Sequence, residues 1–510
     1  MTKIRIAHRS TEHQAAPGRA TRRQPAKPTI EMTTDDSVII DEAIAALVQR
    51  GGIYTYDDEL VEVVDGATGV RVHAPSKDRL QEILSECADW IGAKDKSVRP
   101  FPHVAPGVLA RPTYPALPQI DIVSAEPVLL SDGTILCTSG YHRTIAGGVY
   151  ITGRDGFPSP VECPTREDAL QCLRRLFDVI VDFPFVGDAD QAATIAAFLT
   201  ACGQSAIRAN TPAFAFTATA PGQGKSMLCD LVGIVATGRE PEKTLIYLNE
   251  DEMRRAITSF AREGRRIICY DNIDRPINSP ALSSAITCNG RWSDRVVGSS
   301  NAPSFRLTPI WLLNGNHLCA SREVGRRMVL VRLDSDLDRP EDRTGFRHQT
   351  LLEFAAQNRP RLFMDVLTIL AAFVRAGAPR SSESLLGSFE AWSRLVRDCI
   401  IWLGLPDPLI PVRELSRPPP ELVTLLQFIA SQNQRHGAIS ASQIIAHADD
   451  PAVLAAIARF AGSTGDPQAR ASLLTHALDS LRDRAPAGLH LQRDGRGNSG
   501  IRWTVRGNEW

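Results

Sequence analysis

The chain has 510 residues and ten cysteines, yet no two cysteines form a C-x-x-C pair. That removes the usual zinc-site and dithiol spacings. Several thiols, such as Cys269 in IICY, lie inside apolar runs. Reduced, buried thiols of a cytoplasmic protein are expected, not a disulfide frame. No apolar run reaches the length of about 18 residues that a membrane span needs. The N-terminus has no apolar stretch of the kind a secretory signal requires. Net charge is only −1, so no global basic character advertises nucleic acid, and local patches must carry any such claim. There is no internal repeat. The 43% hydrophobic and 23% charged content is ordinary for a globular chain. The length suggests about three domains.

The most informative stretch is residues 213–230, AFAFTATAPGQGKSMLCD. An apolar run ends in a Pro/Gly-rich turn, then Lys225-Ser226, then a helix-like segment. A strand that delivers a glycine-rich loop to a helix N-terminus builds a phosphate cradle from backbone N–H groups and the helix dipole. Pro221, Gly222, Gln223, Gly224, Lys225, Ser226 and Met227 form that candidate cradle for ATP. Lys225 would reach the β/γ-phosphates and the Ser226 hydroxyl would hold Mg²⁺. The usual pattern opens on glycine, and here that position is Thr219. Taken alone, the stretch also suits a glycine-rich turn before an ordinary helix, so the downstream residues decide.

Downstream, RRIICYDNID (265–274) is an apolar strand ending in Asp271. A carboxylate at the C-terminal edge of a parallel strand beside the loop is where a Mg²⁺-water ligand belongs. Many ATPases follow this aspartate with a glutamate that polarises water. Here the residue is Asn272, which leaves the base open, with Asp274 a weaker candidate. FRLTPIWLLNGNHL (305–318) reads as a second apolar strand, tipped by Asn314-Gly315-Asn316, where an amide can sense a γ-phosphate. SREVGRRMVLVRLD (321–334) offers Arg322, Arg326 and Arg327 before a further strand. Between these lies RWSDRVVGSSNAPSFRL, read as a hairpin around Ser299 to Pro303 with Arg291, Arg295 and Arg306 available for phosphates.

Around this block, residues 1–35 read as a disordered basic tail and 36–164 as an α+β domain without a catalytic constellation. Residues 165–345 read as the motor core with two leading helices, 346–415 as helical, and 416–510 as a last domain after SRPPPE. The last domain reads as four helices and two strands around a basic Gly-rich turn, the outline of a winged helix. Arg482, Arg493, Arg496 and Arg502 would meet nucleic acid there.

In order, PGQGKS, IICYDNID, RWSDRVVG, WLLNGN, VGRRMVLVRLD and LGSFEAWSRLVRDCIIWLGLPDP resemble the AAA+ motor of replicative helicases from phages, plasmids and integrative mobile elements, near the superfamily 3 type. The resemblance implies an α/β P-loop core with a helical lid. It implies Lys225 on phosphate, Ser226 and Asp271 on Mg²⁺, Asn316 as γ-phosphate sensor, and Arg326 or Arg327 as a finger acting in trans. Arg394, in the lid, would contact ATP in cis. It further implies a homo-hexamer moving along DNA, with a primase-polymerase as partner. Two other readings stay open: an ATPase that remodels or loads a nucleoprotein complex, and a DNA-binding regulator switched by nucleotide.

Overall fold

A computed structural model describes residues 27–507 apart from 67–68, 146, 154–155, 248, 275, 295–302, 317, 336–341, 413–419, 462–465, 482–488 and 498–499. Arg295, Arg482, most of the expected hairpin around Ser299 and the basic tail up to residue 26 therefore lie outside the described residues. The chain divides into two units. One takes residues up to Pro127 plus Cys137–Asp155, and the other Val128–Leu136 plus Gly156 onward.

In the smaller unit, helices Asp36–Arg50, Lys77–Cys87 and Val104–Leu109 enclose Ile39, Leu47, Ile83, Leu84 and Trp90. Ser76 caps the second helix, its hydroxyl accepting from the Arg79 N–H at 3.2 Å. The IYTYDDELVEVV stretch forms a hairpin, Ile53–Tyr56 with Glu59–Gly66. Its turn is Asp57-Asp58, both at positive φ, a conformation that aspartate tolerates better than most residues.

The larger unit is built on a parallel sheet. Its strands are β1 (Ala213–Ala218), β2 (Lys243–Thr244), β3 (Ile267–Tyr270), β6 (Ile310–Asn316) and β7 (Met328–Leu333), in the order β2-β3-β6-β1-β7. A separate two-stranded hairpin, β4 (Arg291–Ser293) with β5 (Ser304–Arg306), lies between β3 and β6 in sequence. Every residue of β1 is buried, and all but one in each of β6 and β7. Strands covered on both faces carry continuous apolar runs instead of alternation, which is the pattern the sequence shows.

Helices α1 (Arg166–Ile180), α2 (Asp188–Ile207), α3 (Lys225–Thr237), α4 (Glu250–Glu263), α5 (Pro280–Ile286), α6 (Arg322–Gly325) and α7 (Leu351–Arg375) accompany the sheet. Thr165 and Asp168 form the capping box that starts α1. Asp190 of α2 is fully buried and accepts from the Arg332 backbone N–H at 2.7 Å and from its guanidinium at 3.0 and 2.9 Å. Among the described residues no helix is long and apolar enough to cross a membrane. None of the ten cysteines is in a disulfide; six are buried, while Cys163 and Cys319 are exposed.

After α7 a helical stretch runs Glu390–Trp392, Ser393–Arg397 and Asp398–Trp402, and its middle turn is a π-helix. Arg394 is exposed there, whereas Arg397 is 1% exposed and grips Asp407 through two bonds of 2.8 and 2.6 Å. Removing one partner of a buried pair strands the other charge. Arg397→Ala is therefore expected to destabilise this unit by about 3–5 kcal/mol, while Arg397→Met with Asp407→Leu should lose far less. Denaturant titration of both variants checks this; an equal loss in the double variant would show that the pairing is not what matters.

The C-terminal region contains helices Pro420–His436, Ala441–Ala446, Pro451–Ala461 and Pro467–Leu481. Its sheet has three strands, not the two read from sequence: Ile439–Ser440 pairs with Gly500–Gly507, which pairs with Leu489–Gly497. The third strand, Ile439–Ser440, immediately precedes the second helix. Ser440 leaves the strand to cap that helix, with Gln443 completing a capping box. Leu425, Ile429, Ile444, Ile457, Leu474 and Trp503 form a core of their own.

Candidate functional site

The β1 strand ends at Ala218, level with Asn316 on β6 and Leu333 on β7. The chain then turns through 219–224 into α3. Gly222 and Gly224 hold positive φ, at 77° and 96°. Gly224 is obligatory for a second reason: a Cβ there would stand 2.8 Å from the Phe183 ring. At Thr219, where the common pattern has glycine, the hydroxyl donates to Asp334 Oδ1 at 2.5 Å and accepts from Gln223 Nε2 at 3.2 Å. The departure from pattern thus ties the loop to the end of β7. Pro221, Gly222 and Met227 are exposed, and Gln223 is buried.

Lys225 opens α3 and is 8% exposed. Its ammonium donates to Asn316 Oδ1 at 2.6 Å and to the Ala220 carbonyl at 3.3 Å. Burial lowers its pKa, and the negative charge of Asp271 works in the opposite direction. The next residue, Ser226, donates from Oγ to Asp271 Oδ1 at 3.1 Å. So the loop lysine, the helix-start serine, the β3-end aspartate and the β6-end asparagine converge at the C-terminal edge of one parallel sheet, where ligands bind in such folds. A serine hydroxyl facing a carboxylate is a pair of hard oxygen donors, which suits Mg²⁺. Among the described residues no group of three or more His, Cys, Asp or Glu could hold a metal.

Asn272 is exposed and left-handed, at φ 52°. Its backbone N–H donates to Asn314 Oδ1 at 3.2 Å, and the Ile273 N–H donates to the Asn314 carbonyl at 2.9 Å. Asp274, the weaker base candidate, is also exposed.

Arg326 and Arg327 lie elsewhere. The Ala213 N–H donates to the Arg327 carbonyl at 3.0 Å, which places the arginines at the opposite end of β1 from Lys225. Six residues of strand span roughly 20 Å, so neither arginine serves its own subunit's loop. Both pair with Glu323: Arg326 at 3.0 and 2.8 Å, and Arg327 through Nη1, which also meets the Glu323 carbonyl at 2.7 Å. The hydrogen bonds from Arg326 and Arg327 hold the Glu323 carboxyl at a pKa of about 2.

Arg291 faces Arg306 across the β4–β5 ladder, and both are exposed. The root of this hairpin is fixed to α4: Arg254 donates to both Asp294 oxygens at 2.9 and 3.4 Å, and Trp292 Nε1 donates to Thr258 Oγ1 at 2.9 Å. In the C-terminal sheet Arg493, Arg496 and Arg502 are exposed, and the ladder has an irregularity between Arg493 and Arg496.

Sequence reasoning passed over Asp230 and Lys243. Asp230 lies one helical turn after Ser226, with one oxygen accepting from Lys243 Nζ at 2.8 Å and the other, Oδ1, buried without a hydrogen-bond partner among the described residues. Burial raises its pKa against the pull of Lys243. Burial also opposes the Lys243 ammonium, but the Asp230 hydrogen bond and the charges of Asp230 and Asp271 outweigh it and hold that pKa above the ordinary value. The i, i+4 spacing from Ser226 was the available signal for Asp230; nothing marked Lys243.

No family model and no curated protein matches the chain. Among solved structures, the A form apo structure of the NrS-1 C-terminal region is 10% identical, covering 91% of this chain and 98% of that chain at TM-score 0.41. An X-ray structure of JCV helicase is 12% identical, covering 54% of this chain and 73% of that chain at TM-score 0.20. At such identities and TM-scores the likeness carries no argument about this chain.

Proposed function

We propose that this chain is an ATP-driven DNA helicase or translocase motor of a mobile genetic element, working as a homo-hexameric ring in the cytoplasm. One observation carries the reading: Lys225 with Asn316, and Ser226 with Asp271, meet at the C-terminal edge of a single parallel sheet, beside a glycine-bearing loop at a helix N-terminus. In this reading residues 221–227 form a P-loop within an AAA+ core. Lys225 binds the β/γ-phosphates, and Asn316 orients the lysine and senses the γ-phosphate. Ser226 and Asp271 hold Mg²⁺, which supplies charge neutralisation of the phosphates. Asn272 orients water as an amide can, without taking its proton. An arginine from the neighbouring subunit completes the pocket.

The DNA contacts fall to Arg291 and Arg295 of the hairpin and to Arg482, Arg493, Arg496 and Arg502 of a winged-helix-like C-terminal domain. Arg291, Arg493, Arg496 and Arg502 are exposed on strands, which suits phosphate contacts. A primase-polymerase is the natural partner of such a motor.

Asn272 favours one other reading. Where Asp271 is followed by an amide and not a carboxylate, slow hydrolysis would suit a nucleotide-switched DNA-binding regulator. Two measurements separate the readings. The motor is expected to hydrolyse ATP faster with single-stranded DNA and to displace a strand from a fork. Turnover that ignores DNA, together with no displacement, would leave the switch. DNA-stimulated turnover without displacement would point to a remodelling or loading ATPase.

A further inference from the structure

The triplet Asn314-Gly315-Asn316 splits its work in a way the reading above does not use. Both asparagines face α3: Asn316 accepts from Lys225 at 2.6 Å, and Asn314 donates from Nδ2 to Cys229 Sγ at 3.6 Å, one helical turn deeper. Gly315 sits between them, where the chain after β3 crosses. A Cβ at Gly315 would stand 2.1 Å from the Ile273 carbonyl oxygen, so the residue must be glycine for the two strand tips to meet.

Asn314 is 1% exposed, and its side chain and carbonyl receive the N–H groups of Asn272 and Ile273. The remaining N–H of this turn, that of Asp271, donates to the Thr244 carbonyl at 3.0 Å. Every backbone donor of 271–273 is thus held from a neighbouring strand. Asn tolerates the left-handed region better than most non-glycine residues, and these bonds hold Asn272 in it.

We infer that Asn314 is a positioning residue: its side-chain oxygen holds the Asp271-Asn272 turn left-handed, and so sets where Asp271 meets the metal and where Asn272 meets water. This rests on the proposed nucleotide site. A typical buried hydrogen bond contributes about 1 kcal/mol, and its loss should appear as a change of about fivefold, up to tenfold, in metal affinity.

The test is Mn²⁺ affinity measured by electron paramagnetic resonance with a non-hydrolysable ATP analogue, beside kcat and KM. In Asn314→Leu, Mn²⁺ affinity and kcat should both fall five- to tenfold while KM for ATP at saturating metal stays within twofold. Adding Asn272→Gly, which takes positive φ without strain, should restore the metal affinity but not kcat. If Asn314→Leu does not fold, Asn314→Ser, too short to reach the Asn272 N–H, should show the same metal loss. Unchanged metal affinity in the single variant, or no recovery in the double variant, would overturn the inference. Wild-type protein that binds no metal–nucleotide would instead remove the nucleotide site itself.

Discussion

Lys225→Ala is expected to abolish ATP hydrolysis, with a loss on the order of 10²–10³ or greater, the range seen when one preorganised donor to transition-state charge is removed. Lys225 is the buried cation at the mouth of α3, and both partners of its ammonium, Asn316 Oδ1 and the Ala220 carbonyl, are neutral acceptors. A buried ammonium with only neutral hydrogen-bond partners is incompletely compensated, which is why its pKa is lowered. The negative charge of two phosphates would supply the missing counter-charge. Lys225→Arg should rescue poorly, because a planar fork does not replace a compact point charge in a site shaped around Asn316 and Ala220. Removing the lysine leaves the sheet and its core untouched, so far-ultraviolet dichroism should stay at wild type while turnover disappears. Unchanged turnover in Lys225→Ala would mean that this loop does not carry the reaction.

Apolar runs and punctuation placed much of the sheet in advance. AFAF, IICY and IWLL are unbroken apolar runs because their strands are covered on both faces. Each hands over to a polar segment at the sheet's C-terminal edge, so Asp271 and Asn316 could be assigned to strand ends, and Lys225 to the helix start beyond β1, from spacing alone. Ser76 and Thr165 each cap a helix with a side chain that precedes its apolar period, a local pattern. What spacing could not show was lateral pairing. Nothing local reveals that Asn314 reaches across to the Asn272 N–H, that Asp190 holds Arg332, or that Thr219 is bonded to Asp334; these partners are far apart in sequence. The short strand at Ile439–Ser440 escaped for a related reason: two residues carry no period, and only pairing with Trp503 and Arg502 makes them a strand.

The arginines at the start of β7 are expected to act on a neighbouring subunit's nucleotide, and of the two Arg326 is the one free to reach outward. Its side chain is 53% exposed against 11% for Arg327, and the Arg327 Nε is buried without a hydrogen-bond partner among the described residues. Arg327 also contributes the carbonyl that receives the Ala213 N–H at the base of β1. Arg327 therefore anchors the strand, while Arg326 rests on Glu323 at the surface, a contact that contributes little in water and yields readily to a phosphate. Arg326→Ala should lower ATP turnover by about 10³-fold, the lower end for an arginine finger, with analogue affinity nearly unchanged. Arg327→Ala should lower thermal stability more than Arg326→Ala does. The decisive measurement mixes Arg326→Ala with Lys225→Ala. Each is inactive alone, but a mixed ring contains interfaces where an intact Lys225 faces an intact Arg326, and turnover should rise with the fraction of such interfaces. If the mixture stays as inactive as its components under conditions where subunits exchange, Arg326 does not act across an interface. If Arg326→Ala alone retains wild-type turnover, it is no finger at all.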